Sequence, residues 1–427
     1  MKNLKISALT ILLSLIFLTI ILQTFYTNFY KGYTKFFNNE RNSSLTYMFT
    51  TYIIENFSSI ASQKIELINR LKESETLCKS FMLSKMVTNE GAVYSTFKQG
   101  YKESTVYGIN HEVTAESIGL LMLYAVKEGN KPLFDMEVAF LKEKLLSPLG
   151  ICYWKLKEDF SPFIYNGYFS SASIDDLRII DALIEGYNLW KDMNYISLIY
   201  IMMNGVFNYE VDEATNILVD YYVWKNSESD MGKKAEILTL AYARLPTLLK
   251  MAKFESRWIK VFNETLKVVL EGLNSQQSLF YQEYNVKNKE YKGVYFNTIE
   301  ELMIALNLVE IGKKDKALLI HDFYKKAYLK EGFISDIYRL NGEASPSDAG
   351  IGSYALLARL SLKLNDYDFA LKIIFEKILT CQEKNSKSEY YGAFMNEWPI
   401  IKDANAYDNL QALLTLRETI KALNETK

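Results

Sequence analysis

From about Gly91 to the C-terminus, apolar residues recur at helical spacing in one long segment after another. This feature narrows the fold more than any other. The spacing predicts helices near 114–128, 132–146, 174–191, 194–207, 234–252, 256–273, 297–311, 314–328, 350–363, 366–382 and 405–422. Their lengths are ordinary for globular helices. Many form pairs, a loop-facing helix followed by a more amphipathic partner, as in 174–191 with 194–207. Six Pro and nineteen Gly among 427 residues are too few to turn an all-β chain. An all-α fold of helical hairpins is expected, and no strict repeat points to a fixed-period solenoid.

The chain is 49% hydrophobic and 23% charged, enough for a large core. A net charge of −2 gives no electrostatic drive toward nucleic acid. With two His, a histidine-based metal site or a Ser-His-Asp triad is hard to build. Cys78, Cys152 and Cys381 are too few and scattered for a disulfide framework.

Residues Ile6 to Gln23 form an apolar run broken only by Ser, Thr and the closing Gln, with Lys2 and Lys5 before it. No small-x-small cleavage site follows, which favours an uncleaved signal anchor over 1–25, with removal as a signal peptide the alternative. The remainder is then expected outside the membrane on the exported side. A juxtamembrane segment (26–89), with a helix from Leu45 through Ser80, precedes a main domain over 90–427.

Two stretches carry the chemistry. In the first, Glu116 opens an almost wholly apolar helix in which Ile118, Leu121, Met122 and Ala125 recur at helical spacing. Thr114 is placed to cap it. An acid on such a first turn favours the helix dipole, which is its commonest role. Beside apolar surface its pKa also rises toward that of a usable proton donor. The second stretch repeats the setting with Asp175 and Asp176, with Ser173 as a possible cap. Adjacent helical residues point about 100° apart, so one acid is expected at a groove while the other caps or pairs with Arg178. The longer links are rich in aromatic residues, among them Trp154, Tyr168, Tyr222, Trp224 and Trp398. Singly, each such ring more often plugs a loop against a helix end. Together they suit a groove that stacks on sugar rings.

These stretches resemble glycoside hydrolase family 8. Thr114-Ala-Glu-Ser-Ile-Gly-Leu-Leu-Met122 is similar to the family's Val-Ser-Glu-Gly-Gln-Gly-Tyr-Gly-Met signature, with Glu116 at the proton donor. Ala172-Ser-Ile-Asp-Asp-Leu-Arg-Ile-Ile180 is similar to Ala-Thr-Asp-Ala-Asp-Leu-x-Ile-Ala, with Asp176 at the second Asp and Ile174 in place of the first. Asp175 is the candidate to take over that first position. Leu238-Thr-Leu-Ala-Tyr-Ala-Arg-Leu-Pro246 resembles the family's Asn-Pro-Ser-Tyr segment and brings in Tyr242, and Gly350 to Leu357 resembles a late helix start. The family's general base falls near Glu300, with Asn297 and Glu301 as nearby options, and its following Arg is absent.

The resemblance implies an (α/α)6 toroid and hydrolysis of a β-linked polysaccharide, cellulose-like or an exopolysaccharide, with inversion and without a cofactor. Glu116 would be the acid, Glu300 the base, and Asp175 or Asp176 would hold the sugar at the cleavage point. With the anchor, it implies endo-acting work at the outer membrane surface beside a polysaccharide synthase complex. The alternative is a catalytically impaired toroid that binds a glycan or a synthase. An unrelated helical scaffold for protein partners is a third possibility, in which Glu116, Asp175/Asp176 and Glu300 would not converge.

Overall fold

A computed structural model describes residues 42–225, 232–395 and 402–425. The expected anchor (1–25) and Trp398 lie outside the described residues. Among the described residues, no helix is long and apolar enough to cross a membrane. The chain divides into two compact units, Met1–Leu67 and Ile68–Lys427. The second begins inside the segment expected to be juxtamembrane. Leu71, Cys78 and Phe81 explain why, since they are spaced along one helical face and all are buried.

Helix α1 (Asn42–Phe81) carries the unit boundary within it. After it come α2 (Ala115–Glu128), α3 (Lys131–Phe140), α4 (Ser173–Trp190), α5 (Met193–Tyr209), α6 (Leu245–Met251) and α7 (Arg257–Glu271). The remainder are α8 (Thr298–Glu310), α9 (Lys314–Glu331), α10 (Ile351–Lys363), α11 (Tyr367–Ile373) and α12 (Ala406–Glu425). In the second unit α2, α4, α6, α8, α10 and α12 pack each against the next, and α12 returns to α2, closing a ring. Each ring helix from α2 to α10 also packs against the helix that follows it in the chain. This mostly helical arrangement is consistent with an (α/α)6 fold. Ring helices such as α10 are buried on nearly every side, which is why their sequences have almost no polar face.

One expected helix, 234–252, is corrected. Its first half forms strand β6 (Ile237–Thr239) and a short turn of 3-10 helix, and only Leu245–Met251 is helical. Pro246 brings no backbone N–H, so it sits in the first turn of a helix that starts afresh there. Short antiparallel strands lead into several ring helices. Strand β1 (Val113–Thr114) runs directly into α2 and pairs with β2 (Lys155–Leu156), with Thr114 opposite Lys155. Likewise β11 (Tyr295–Asn297) runs into α8 and pairs with β12 (Ile337–Arg339). Lys155 is fully buried, and its Nζ is 2.9 Å from Glu112 and 2.7 Å from the Ser104 carbonyl. That buried ion pair ties the loop before α2 to β2.

A short motif recurs on three ring helices: Asp175-Asp-Leu177, Glu300-Glu-Leu302 and Asp408-Asn-Leu410. In each, the Leu is fully buried and the middle residue pins a loop. Asp176 Oδ1 accepts the Cys152 N–H at 2.8 Å, Glu301 Oε1 the Phe280 N–H at 2.8 Å, and Asn409 Oδ1 the Phe394 N–H at 2.8 Å. Asn409 returns a bond to the Phe394 carbonyl at 3.0 Å. The helical turn of about 100° per residue sorts the three positions onto different faces. Asn409→Ala strands both backbone groups of Phe394 and is expected to cost about 2 kcal/mol in urea unfolding. Glu290→Ala, on an exposed strand position, is the control and is expected to stay within about 0.5 kcal/mol.

Candidate active site

Thr114 is extended and its hydroxyl accepts the Ser117 N–H at 3.2 Å, so it caps α2 as its sequence position predicts. The cap places Glu116 on the first turn. Its neighbours Ala115, Ser117 and Ile118 are buried, while its own side chain keeps 35% of its surface. The Glu116 carboxyl is pushed up to about 7, above all by loss of hydration. Arg178 opposes that shift, and Asp175 and Asp408 add to it.

Helix α4 differs from expectation at its cap. Ala172, not Ser173, occupies the capping position, and the Ser173 hydroxyl is buried with no hydrogen-bond partner in the structure. The two acids then diverge. Asp175 accepts a hydrogen bond from Arg178 Nη1. Asp176 is 0% exposed, holds the Cys152 amide, and lies beside the buried Glu210, which accepts from Ser171 Oγ at 2.5 Å. Burial lifts the Asp176 carboxyl to about 7. Its enclosure takes Asp176 out of reach of a substrate, which corrects the expectation of a catalytic part for it. Asp175 is the acid of the pair that faces Glu116 through Arg178.

Tyr242 ties the site together. Its phenol is pushed up by burial and then by four carboxylates: Asp220, Asp175, Glu116 and Glu300. Acids from α2, α4 and α8 are therefore within electrostatic reach of one hydroxyl. Of the three options for a base, Asn297 is occupied as the cap of α8, accepting the amides of Ile299 and Glu300 at 3.0 and 3.3 Å. Glu301 is buried on its loop. Glu300 is the one left half-exposed, with Gln282 Nε2 donating to it at 3.4 Å, and burial raises it to about 7.

Sequence reasoning missed Asp220, Tyr407 and Asp408. Asp220 precedes strand β4 (Tyr222–Trp224) and accepts from Thr239 twice, from N–H at 2.6 Å and from the hydroxyl at 2.7 Å. Burial, with Glu283 and Glu300 adding, lifts it to about 7. Tyr407 and Asp408 open α12; Asp408 raises Glu116, and Glu116 in turn raises the Tyr407 phenol. The recurring acid–acid/amide–Leu motif was the available signal for Asp408. Nothing local marks Asp220.

The aromatic residues divide. Trp154 is half-buried, and its carbonyl accepts the Ala115 N–H at 3.0 Å, next door to Glu116. Tyr168 is half-exposed, with the Lys225 ammonium 4.5 Å above its ring. Tyr222 and Trp224 are buried and stack on each other at 6.0 Å, with Tyr153 stacking on Trp224 at 5.5 Å. They fill the small sheet under the loops, which corrects their assignment to substrate. Among the described residues, no group of His, Cys, Asp and Glu is arranged to hold a metal ion.

The fold is similar to that of an alpha-amylase from Clostridium perfringens, at TM-score 0.71 and 25% identity over 81% of this chain and 97% of that one. It is also similar to PssZ from Listeria monocytogenes, at TM-score 0.59 and 17% identity over 79% and 94% of the two chains. A third similar structure is endoglucanase Cel10, a family 8 glycosyl hydrolase from Klebsiella pneumoniae, at TM-score 0.56 and 16% identity over 81% and 99%. The last two likenesses concern the fold alone. Comparison with curated proteins gives no match. The model of glycosyl hydrolases family 8 matches residues 83–346, more than half of the chain and the whole run from Glu116 to Glu300. The chain belongs to glycosyl hydrolases family 8.

Proposed function

We propose that the chain hydrolyses a polysaccharide internally and with inversion. Glu116 is the general acid, Glu300 the general base, and Asp175 grips the sugar at the cleavage point. The observation that carries this reading is Arg178 joining Glu116 on α2 to Asp175 on α4, with both acids and Glu300 within electrostatic reach of Tyr242. A Glu116 carboxyl held near 7 keeps its proton into the neutral range and gives it to the glycosidic oxygen as the bond breaks. A carboxylate across the cleft then draws a proton from water attacking the opposite sugar face, for which inverting enzymes keep their carboxyls roughly 6.5–9.5 Å apart.

The family resemblance supports a β-linked polymer. An α-glucan is the second reading, favoured by the 25% identity with the Clostridium perfringens alpha-amylase. The apolar run before Thr24 supports a chain tethered at the outer membrane surface, beside a synthase whose product it trims. A glycan-binding protein without activity would keep the cleft and release no reducing ends.

Reducing-end release from carboxymethylcellulose, xylan and amylose separates these readings. On the polymer that is cut, Glu116→Gln and Glu300→Gln are each expected to lower kcat about 10²–10⁴-fold. Proton NMR of the first products is expected to show the anomer opposite to that of the bond cleaved, and retention would remove Glu300 from the role of base. Full activity of Glu116→Gln would remove Glu116 from the role of acid.

The raised Glu116 also predicts a stability effect. A folded value near 7 lies above the ordinary carboxylate value of about 4.3, so folding stability falls as pH rises between them. Glu116→Gln removes that penalty. Its thermal midpoint is expected to exceed the wild-type value at pH 8 by more than at pH 5, as read by differential scanning calorimetry.

A further inference from the structure

A cation touches the acids of the cleft directly. Arg178 lies on α4, 2% exposed, one helical turn beyond Asp175. Its Nη1 donates to Asp175 Oδ1, and its Nη2 stands 3.5 Å from Glu116 Oε1 on the neighbouring ring helix α2. We propose that Arg178 is a positioning residue: its guanidinium locks the Asp175 carboxylate, steers the Glu116 carboxyl, and so decides which of the two acids carries the proton. The inference rests on the reading of Glu116 as the proton donor.

The grip is unequal. Burial pushes the Asp175 carboxyl up, and the direct hydrogen bond from Arg178 opposes that by favouring its ionised form. Glu116 meets the same guanidinium only at ion-pair distance and on the more open side, so the cation favours ionisation of Asp175 over that of Glu116. A lysine ammonium is a point charge, whereas the planar fork of Arg places separate N–H groups toward two carboxyls on two helices.

The path to this position is built into α2. Gly119 follows Glu116 by one turn, and a Cβ there would stand 3.1 Å from both Cγ and Cδ of Arg178 and 3.2 Å from Ile179 Cγ1. The bare glycine surface is the channel along which the Arg178 stem reaches Glu116. Other charges reach the same place: Asp408 and Tyr407 from α12, Arg359 from α10, and Tyr242 with Arg244 from the segment leading into α6.

The test is the pH profile of kcat/KM for the full chain on the polymer it cuts. Loss of the protonated acid sets the basic limb. Removing the nearby cation makes the Glu116 proton harder to lose, so the limb moves to higher pH. Arg178→Met is expected to move it up by about one unit and to lower kcat/KM at least about tenfold. Arg178→Lys is expected to keep the limb near its wild-type place while still losing rate. Gly119→Ala, which displaces the Arg178 stem and leaves every charge in place, is expected to move the limb in the same direction as Arg178→Met.

If turnover of Arg178→Met is too slow to follow, carboxyl carbon-13 NMR reads the same shift. The Glu116 signal is the one missing from Glu116→Gln. An unmoved limb or signal in both Arg178→Met and Gly119→Ala overturns the inference. If Glu116→Gln is inactive while the limb stays put, the inference alone fails. If Glu116→Gln is active, the reading beneath it fails.

Discussion

Loss of hydration is the physical constraint on which this site depends. A ring helix is buried on nearly all sides, so any acid on its first turn is partly stripped of water by its neighbours. Glu116, Asp176 and Glu300 all sit near 7 for that reason first, and Asp220, buried in the segment before β4, does so too, with particular charges modifying each value afterwards. The fold therefore produces proton-holding carboxyls as a consequence of its packing. What distinguishes one from another is its remaining exposure and the partner it meets. Asp176 is enclosed and holds a backbone amide, whereas Glu116 opens on the cleft.

The same helical turn does two jobs on α4, α8 and α12. On α8 the first residue, Glu300, stays half-exposed, on α4 Asp175 meets Arg178, and on α12 Asp408 accepts the Gly352 N–H. In all three the next residue reaches back to fix a loop, and the Leu after it enters the core. Catalytic geometry and loop anchoring are thus coupled through consecutive residues, since a shift of Asp176 or Glu301 moves Asp175 or Glu300 with it. Short strands such as β1 and β11, running straight into α2 and α8, hold the entry angle of the chain from the other side. The buried Lys155–Glu112 pair does the same for the loop ahead of Glu116. Such a pair is costly to break, because either partner alone leaves an uncompensated buried charge.

Much of the fold was legible because helical periodicity survives in sequence. Ten of the eleven helices expected from spacing correspond to observed helical segments, and Thr114, Gly129 and Asn297 mark ends as caps do. The failure at 234–252 is local, where Ile237 to Thr239 alternate in burial as a strand does and Pro246 restarts the helix. Glu116 and Asp175 were legible from their first-turn setting and their resemblance to family signatures. Asp220 was not, because its role comes from a contact with Thr239, nineteen residues on, that no local pattern encodes. Tyr222 and Trp224 misled for a related reason: a ring in a link serves either the groove or the loop core, and only packing decides.

The central claim is that Glu116 delivers a proton to the leaving group. The most direct measurement compares Glu116→Gln with wild type on the polysaccharide and on a dinitrophenyl glycoside of the same sugar, whose leaving group departs without a proton. The account predicts a loss of about 10²-fold or more on the polysaccharide and near-normal bond cleavage on the activated glycoside. An equal loss on both substrates would contradict it.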